Sequence, residues 1–127
     1  MLIFARNEDG GALTAEDNAS LDHKAELWRH GPTSDRVPNG HGEYGLTPSN
    51  PIPVIGMLAA TRYLRKLRHN GRPVEYQLLG EADSDVTPSR EVTVFGLSQA
   101  GRDLDPIFVY LYSRRNSKVA PHGFTIA

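Results

Sequence analysis

Two polar links constrain this chain more than any other feature. They read "EADSDVTPSR" (81–90) and "SQAGRDLD" (98–105), and each joins two apolar or aromatic runs. Parallel neighbours in a sheet need a crossover of a dozen or more residues, usually a helix. These links are too short and too polar to hold one. The runs "PVEYQLLG" (73–80), "EVTVFGL" (91–97) and "PIFVYLYS" (106–113) are therefore predicted to pair as an antiparallel β-meander. "LIFA" (2–5) is a candidate fourth strand.

A helix is expected just before the meander. In "TPSNPIPV" (47–54) the residue preceding each proline avoids the α region, so this stretch is extended or turning. Pro53 suits the first helical turn, where a missing N–H does no harm. The helix then reads "VIGMLAATRYLRKLR" (54–68), and Asn70-Gly71 is a stop signal. Met57, Ala60, Leu64 and Leu67 share one face. Arg62, Arg65, Lys66 and His69 share the other.

The chain changes character at about Tyr44. Residues 1–43 form an expected N-terminal arm, loosely ordered, because "RNEDGGALTAEDNAS" (6–20) and "HGPTSDRVPNGHGEYG" (30–45) carry few large apolar groups. One short helix is expected in it, at about 20–30. Ser20 caps it, Asp22 meets the positive end of its dipole, and Gly31-Pro32 ends it. Leu21, Ala25 and Trp28, with Leu27 beside them, follow helical spacing. Residues 44–127 are the domain proper. The predicted class is α+β: an amphipathic helix followed by a three- to four-stranded antiparallel β-meander.

Composition narrows the function classes. A chain of 127 residues suits one domain. The absence of cysteine excludes disulfides, thiol catalysis and cysteine-based zinc sites. A net charge of −1 argues against a general nucleic-acid coat or a membrane-surface protein. The most apolar window, "PIPVIGMLAA" (51–60), is half the ~20 residues a membrane span needs. No export signal is read in "MLIF", so a soluble, cytoplasmic protein of bacterial type is expected.

Motifs for chemistry are weak. Five histidines show no H-x-x-x-H spacing, and "HGE" (41–43) matches only half of the zinc deaminase signature, whose other half needs cysteines. "GLSQAG" (96–101) is one residue too long for a nucleophile elbow and lacks the following helix, so Ser98 reads as a turn residue. "NGHGEYG" (39–45) has no Walker lysine and reads as a loop. Asp83, Asp85, Asp103 and Asp105 lie in the links, where aspartates ordinarily serve turns. No catalytic residue, cofactor or metal is assigned.

Two surfaces carry more. The basic residues Arg62, Arg65, Lys66 and Arg72, joined by Arg114, Arg115 and Lys118 of "SRRNSKVAPHGFTIA" (113–127), are candidate anion contacts. That closing stretch also suits a C-terminal clasp, with Phe124 and Ile126 returning as a short edge strand. The last meander strand is apolar on both sides. If Ile107, Val109 and Leu111 face the helix, Phe108, Tyr110 and Tyr112 form an aromatic row on the far face. Tyrosines suit a half-wet surface, so this row is a candidate protein interface, with a homodimer as one form of it. The N-terminal arm or the "GFTIA" tail is the rival cover.

Taken together, "NPIPV" (50–54), "YLRKLR" (63–68), "NGRPVEYQLLG" (70–80) and "SRRNSKVAPHGF" (113–124) resemble a small group of uncharacterised bacterial proteins over about residues 44–127. That resemblance implies one folding unit from the proline run to the clasp, and no known activity. The function expected from the sequence is a small non-enzymatic module that binds a protein partner or itself. Nucleic-acid or other anion binding through the basic residues ranks second, and a small enzyme of unknown class third.

Overall fold

A computed structural model of the chain describes Leu27 and residues 31–127. The expected strand at 2–5 lies outside the described residues. So does the helix at 20–30, except for Leu27, which is helical and buried. In chain order the described elements are β1 (Ile52–Pro53), α1 (Gly56–Lys66), β2 (Leu67–His69), β3 (Arg72–Pro73), β4 (Glu75–Asp83), β5 (Glu91–Gln99), β6 (Arg102–Tyr110) and β7 (Phe124–Ile126). One sheet has the order β1-β6-β5-β4 and the other β3-β2-β7. The class is mainly β with a helix, roughly α+β.

The meander forms as expected. β4 pairs antiparallel with β5, and β5 with β6. The turn between β5 and β6 is tighter than the polar link suggested. Ala100 and Gly101 both take positive φ, +52° and +77°, the signature of a two-residue I′ hairpin. Asp103 and Asp105 therefore lie in β6 rather than in a loop. The fourth strand of this sheet is not antiparallel. β1 runs parallel to β6, with Ile52 opposite Val109. The proline-rich lead-in is itself this short edge strand, where Pro53 is tolerated because an edge leaves N–H groups unpaired anyway.

The helix is shorter than its periodicity implied. The chain turns into it at Gly56, where φ is +82°, a conformation that favours glycine. It ends at Lys66, because Leu67 is already extended. Asn70-Gly71 is the turn of a second hairpin, between β2 and β3, with φ of +54° and +77°. Ala60, Tyr63 and Leu64 are the buried helical residues. Met57, assigned to the buried face, is 41% exposed. Tyr63 is buried instead, and its hydroxyl donates to the Val119 carbonyl at 2.6 Å.

The core lies between α1 and the inner face of the four-stranded sheet. Ile52, Val54, Leu64, Leu67, Phe95, Ile107 and Val109 are its best-buried members. Ile107 and Val109 point inward as expected, and Leu111 packs against the cluster from its margin. Residues 113–127 close the domain. Ser117 N–H donates to the Pro53 carbonyl at 2.9 Å, and Ala127 N–H donates to the Lys66 carbonyl at 2.8 Å. β7 pairs with β2, placing Ile126 opposite Leu67 and Phe124 opposite His69, so the clasp forms. Residues 31–43 hold no strand or helix but are tied to the domain. Arg114 N–H donates to the Pro32 carbonyl at 2.8 Å, Tyr44 donates to the Asp35 carbonyl at 3.1 Å, and Val37 is buried. Among the described residues no helix is long and apolar enough to cross a membrane.

Candidate interaction surface

The aromatic row is largely engaged by the chain itself. Tyr110 is 1% exposed, while Phe108 and Tyr112 are half-buried. The rings of Tyr110 and Tyr112 meet edge-on, with centroids 5.7 Å apart. Leu27 lines the same pocket as Tyr110 and Tyr112, so one residue of the N-terminal arm does reach this region. The Tyr110 hydroxyl is buried and has no hydrogen-bond partner. Burial, then the neighbouring Tyr112, push its pKa up to about 12.

The candidate anion contacts form two groups. Arg62, Arg65, Lys66 and Arg72 are exposed on α1 and β3. Arg114, Arg115 and Lys118 are exposed beside the other end of the helix, where Asn116 accepts the Ile55 N–H at 2.7 Å. Along α1, Arg62 and Lys66 stand about 9 and about 15 Å from Gly56, at the end beside the second group. Arg115 already meets a carboxylate, with Nε 3.3 Å from Asp35 Oδ1. The Lys118 backbone N–H donates to the same carboxylate at 3.1 Å.

Sequence reasoning did not single out β4 as a surface. Among the described residues it is the outer strand of its sheet, nine residues long and paired only with β5. A bulge at Leu78–Gly80 interrupts its register. There Leu78 and Leu79 are 54% and 59% exposed. Gly96 on β5 accommodates this, since a Cβ at that position would press on the Leu79 side chain. The signal was present in the sequence: "QLLG" sets two leucines in a row, and only one can face a core in a strand of period two.

Acidic groups crowd the far end of the same strand. Asp83 lies directly opposite Glu91, and Glu81 lies opposite Thr93, so Glu81, Asp83 and Glu91 share one face of the ladder. The Glu81 carboxyl comes within hydrogen-bonding reach of Glu91 and, with Asp83 adding like charge, raises the Glu91 pKa. Glu81 and Glu91 also line the pocket of about 260 Å³ that holds Tyr110 and Tyr112. Among the described residues no basic side chain forms an ion pair with Glu81, Asp83 or Glu91.

A second, open cleft of about 980 Å³ lies beside the β4–β5 loop, lined by His41, Ser49, Asp85 and Arg90 among others. His41 Nε2 stands 3.0 Å from Asp85 Oδ2, and this hydrogen bond lowers the Asp85 pKa. The nearby hydroxyls serve the backbone. Ser49 donates to the His41 carbonyl at 2.9 Å and Ser84 to the Pro48 carbonyl at 2.7 Å. Ser98 lies in β5 opposite Asp103. Among the described residues no group of three or more histidine, aspartate or glutamate side chains is placed to hold a metal ion.

Comparison with known proteins finds no matching family model, no similar curated protein and no similar solved structure.

Proposed function

We propose that this chain is a small non-enzymatic protein-interaction module and that it binds through the open edge of β4. The observation that carries the reading is a nine-residue outer strand with two adjacent half-exposed leucines. Such an edge presents a row of unpaired N–H and C=O groups. Domains that recognise extended peptides use an edge of this kind, with backbone bonds supplying affinity and alternate side chains supplying specificity. The aromatic row contributes less than its sequence suggested, because Tyr110 is covered within the chain.

The test is selection of binders from a random-peptide display library, on the wild type and on a Leu78→Asp, Leu79→Asp variant. Peptides enriched on the wild type and lost on the folded variant support the reading. Peptides that bind both equally place binding elsewhere. Sedimentation at micromolar concentration separates self-association from binding to another chain.

Anion binding is the second reading, favoured by Arg62, Arg65, Lys66 and Arg72, all exposed on a stretch, 54–72, that contains no acid. A titration with labelled single-stranded nucleic acid tests it, since phosphate contacts make affinity fall steeply with salt.

A further inference from the structure

We infer that the partner of β4 is an extended segment of another protein carrying lysine or arginine at alternate positions, one of which seats its cation between Glu81 and Glu91. This rests on the reading of β4 as a docking edge and names the chemistry of its occupant.

A second copy of β4 fits badly. In an antiparallel pair centred on Leu79, Glu75 of each copy faces Asp83 of the other. Centred on Leu78, it faces Glu81. Like charges placed directly opposite destabilise a strand pair, and symmetry doubles the penalty. The acids thus act against self-pairing and in favour of a basic strand, the usual way an edge selects its partner.

Among the described residues the carboxylates also lack an ion-pair partner. Residues 73–105 hold seven acids and two bases, and no described basic side chain pairs with Glu81, Asp83 or Glu91. Glu81 raises the Glu91 pKa, and both carboxylates line one pocket, where a cation would relieve their repulsion. An independent feature marks the same pocket. Tyr110, almost wholly buried and with an unpartnered hydroxyl, lines it together with Tyr112. Aromatic rings beside carboxylates suit an ammonium or guanidinium group.

The experiment uses three end-capped, fluorescein-labelled peptides of about the length of β4: alternating lysine–valine, alternating glutamate–valine, and alternating lysine–glycine. Binding to the full chain is read by fluorescence anisotropy, and its location by amide shifts in a nitrogen-15 spectrum. The lysine–valine peptide is expected to shift β4 amides and to bind at least about tenfold tighter than either other peptide. A Glu81→Gln, Glu91→Gln variant should remove most of that preference. Asp83→Asn, next to the pocket but outside its lining, should weaken it less. Affinity should also fall as pH drops and Glu91, whose pKa is raised, takes up a proton. Equal binding of the lysine–valine and glutamate–valine peptides at β4 overturns the basic partner and leaves the docking edge standing. Equal binding of the lysine–valine and lysine–glycine peptides overturns the strand geometry. Lysine–valine binding that leaves β4 amides unmoved, or no binding by any peptide, overturns both readings.

Discussion

Tyr110 shows best how one side chain ties local sequence to the behaviour of the whole. It sits in a run that is apolar on both faces, and its hydroxyl is buried without a partner. An unsatisfied buried hydroxyl costs roughly 1–3 kcal/mol, so Tyr110→Phe is expected to stabilise the domain by about 1 kcal/mol. Thermal unfolding checks this, and a lower melting temperature would show that the hydroxyl is bonded. Burial also pushes the pKa of Tyr44 and Tyr110 up to about 12, and that of Tyr63 higher still. Their ordinary value is about 10. Well below pH 10 all three are neutral in the folded and the unfolded chain, and stability does not depend on pH through them. Above it the unfolded chain releases these protons first, so stability falls as pH rises from about 10 to about 12. Phenolate absorbance should then show the buried tyrosines ionising together with unfolding. A single titration of all five tyrosines near pH 10 in a folded chain would contradict the burial. That Tyr110 is inside was not legible in the sequence. Alternation places it opposite the core face, and only the cover from within the chain, with Leu27 beside it, makes that second face an interior.

At the scale of elements, the meander could be read from link length, because a short polar link permits only antiparallel pairing. The helix ends could not. Helical periodicity continued through Leu67, since Leu67 is buried both on a helix face and in the short strand it really begins. Asn70-Gly71 stops a helix or turns a hairpin equally well, as both need positive φ. What decided between them is β7, a strand more than fifty residues later that pairs with Leu67–His69. Ala100 gives an element-scale prediction. It takes φ of +52° in the hairpin between β5 and β6, where a residue with a Cβ loses roughly 1–2 kcal/mol. Ala100→Asn creates the Asn-Gly pair that this turn favours. It is expected to stabilise by about 1 kcal/mol, seen as a midpoint shifted to higher denaturant with an unchanged slope. A destabilised variant would show that the turn is not of the I′ type. The β4 edge was missed for a related reason: an outer strand and a central strand have the same alternation, and only pairing order tells them apart.

The whole molecule depends on its last residues. Residues 113–127 pass from Pro53, at the start of the helix, to Lys66, at its end, and supply β7 of the small sheet. Pro121 is fully buried, Gly45 approaches it closely, and the Phe124 ring packs at a tilt against His69 with centroids 5.3 Å apart. Deleting residues 121–127 removes that proline, strand β7 and the bond from Ala127 to Lys66. It also leaves β2 and β3 as a two-stranded ribbon, by itself at best marginally stable in water, tied to β5 through Gln99, which donates to the His69, Arg72 and Pro73 carbonyls. Leu67 would lose its strand neighbour Ile126 and gain access to solvent. The loss is expected to be about 3 kcal/mol or more, at the upper end for a local change. It should also be uneven. Amide exchange should speed up most at residues 67–73 and least along β5, an inner strand of the larger sheet whose partners on both sides remain. Urea denaturation gives the total and hydrogen exchange gives the distribution. A truncated chain as stable as the full one, with residues 67–73 still protected, would show that the clasp lies on the domain without holding it.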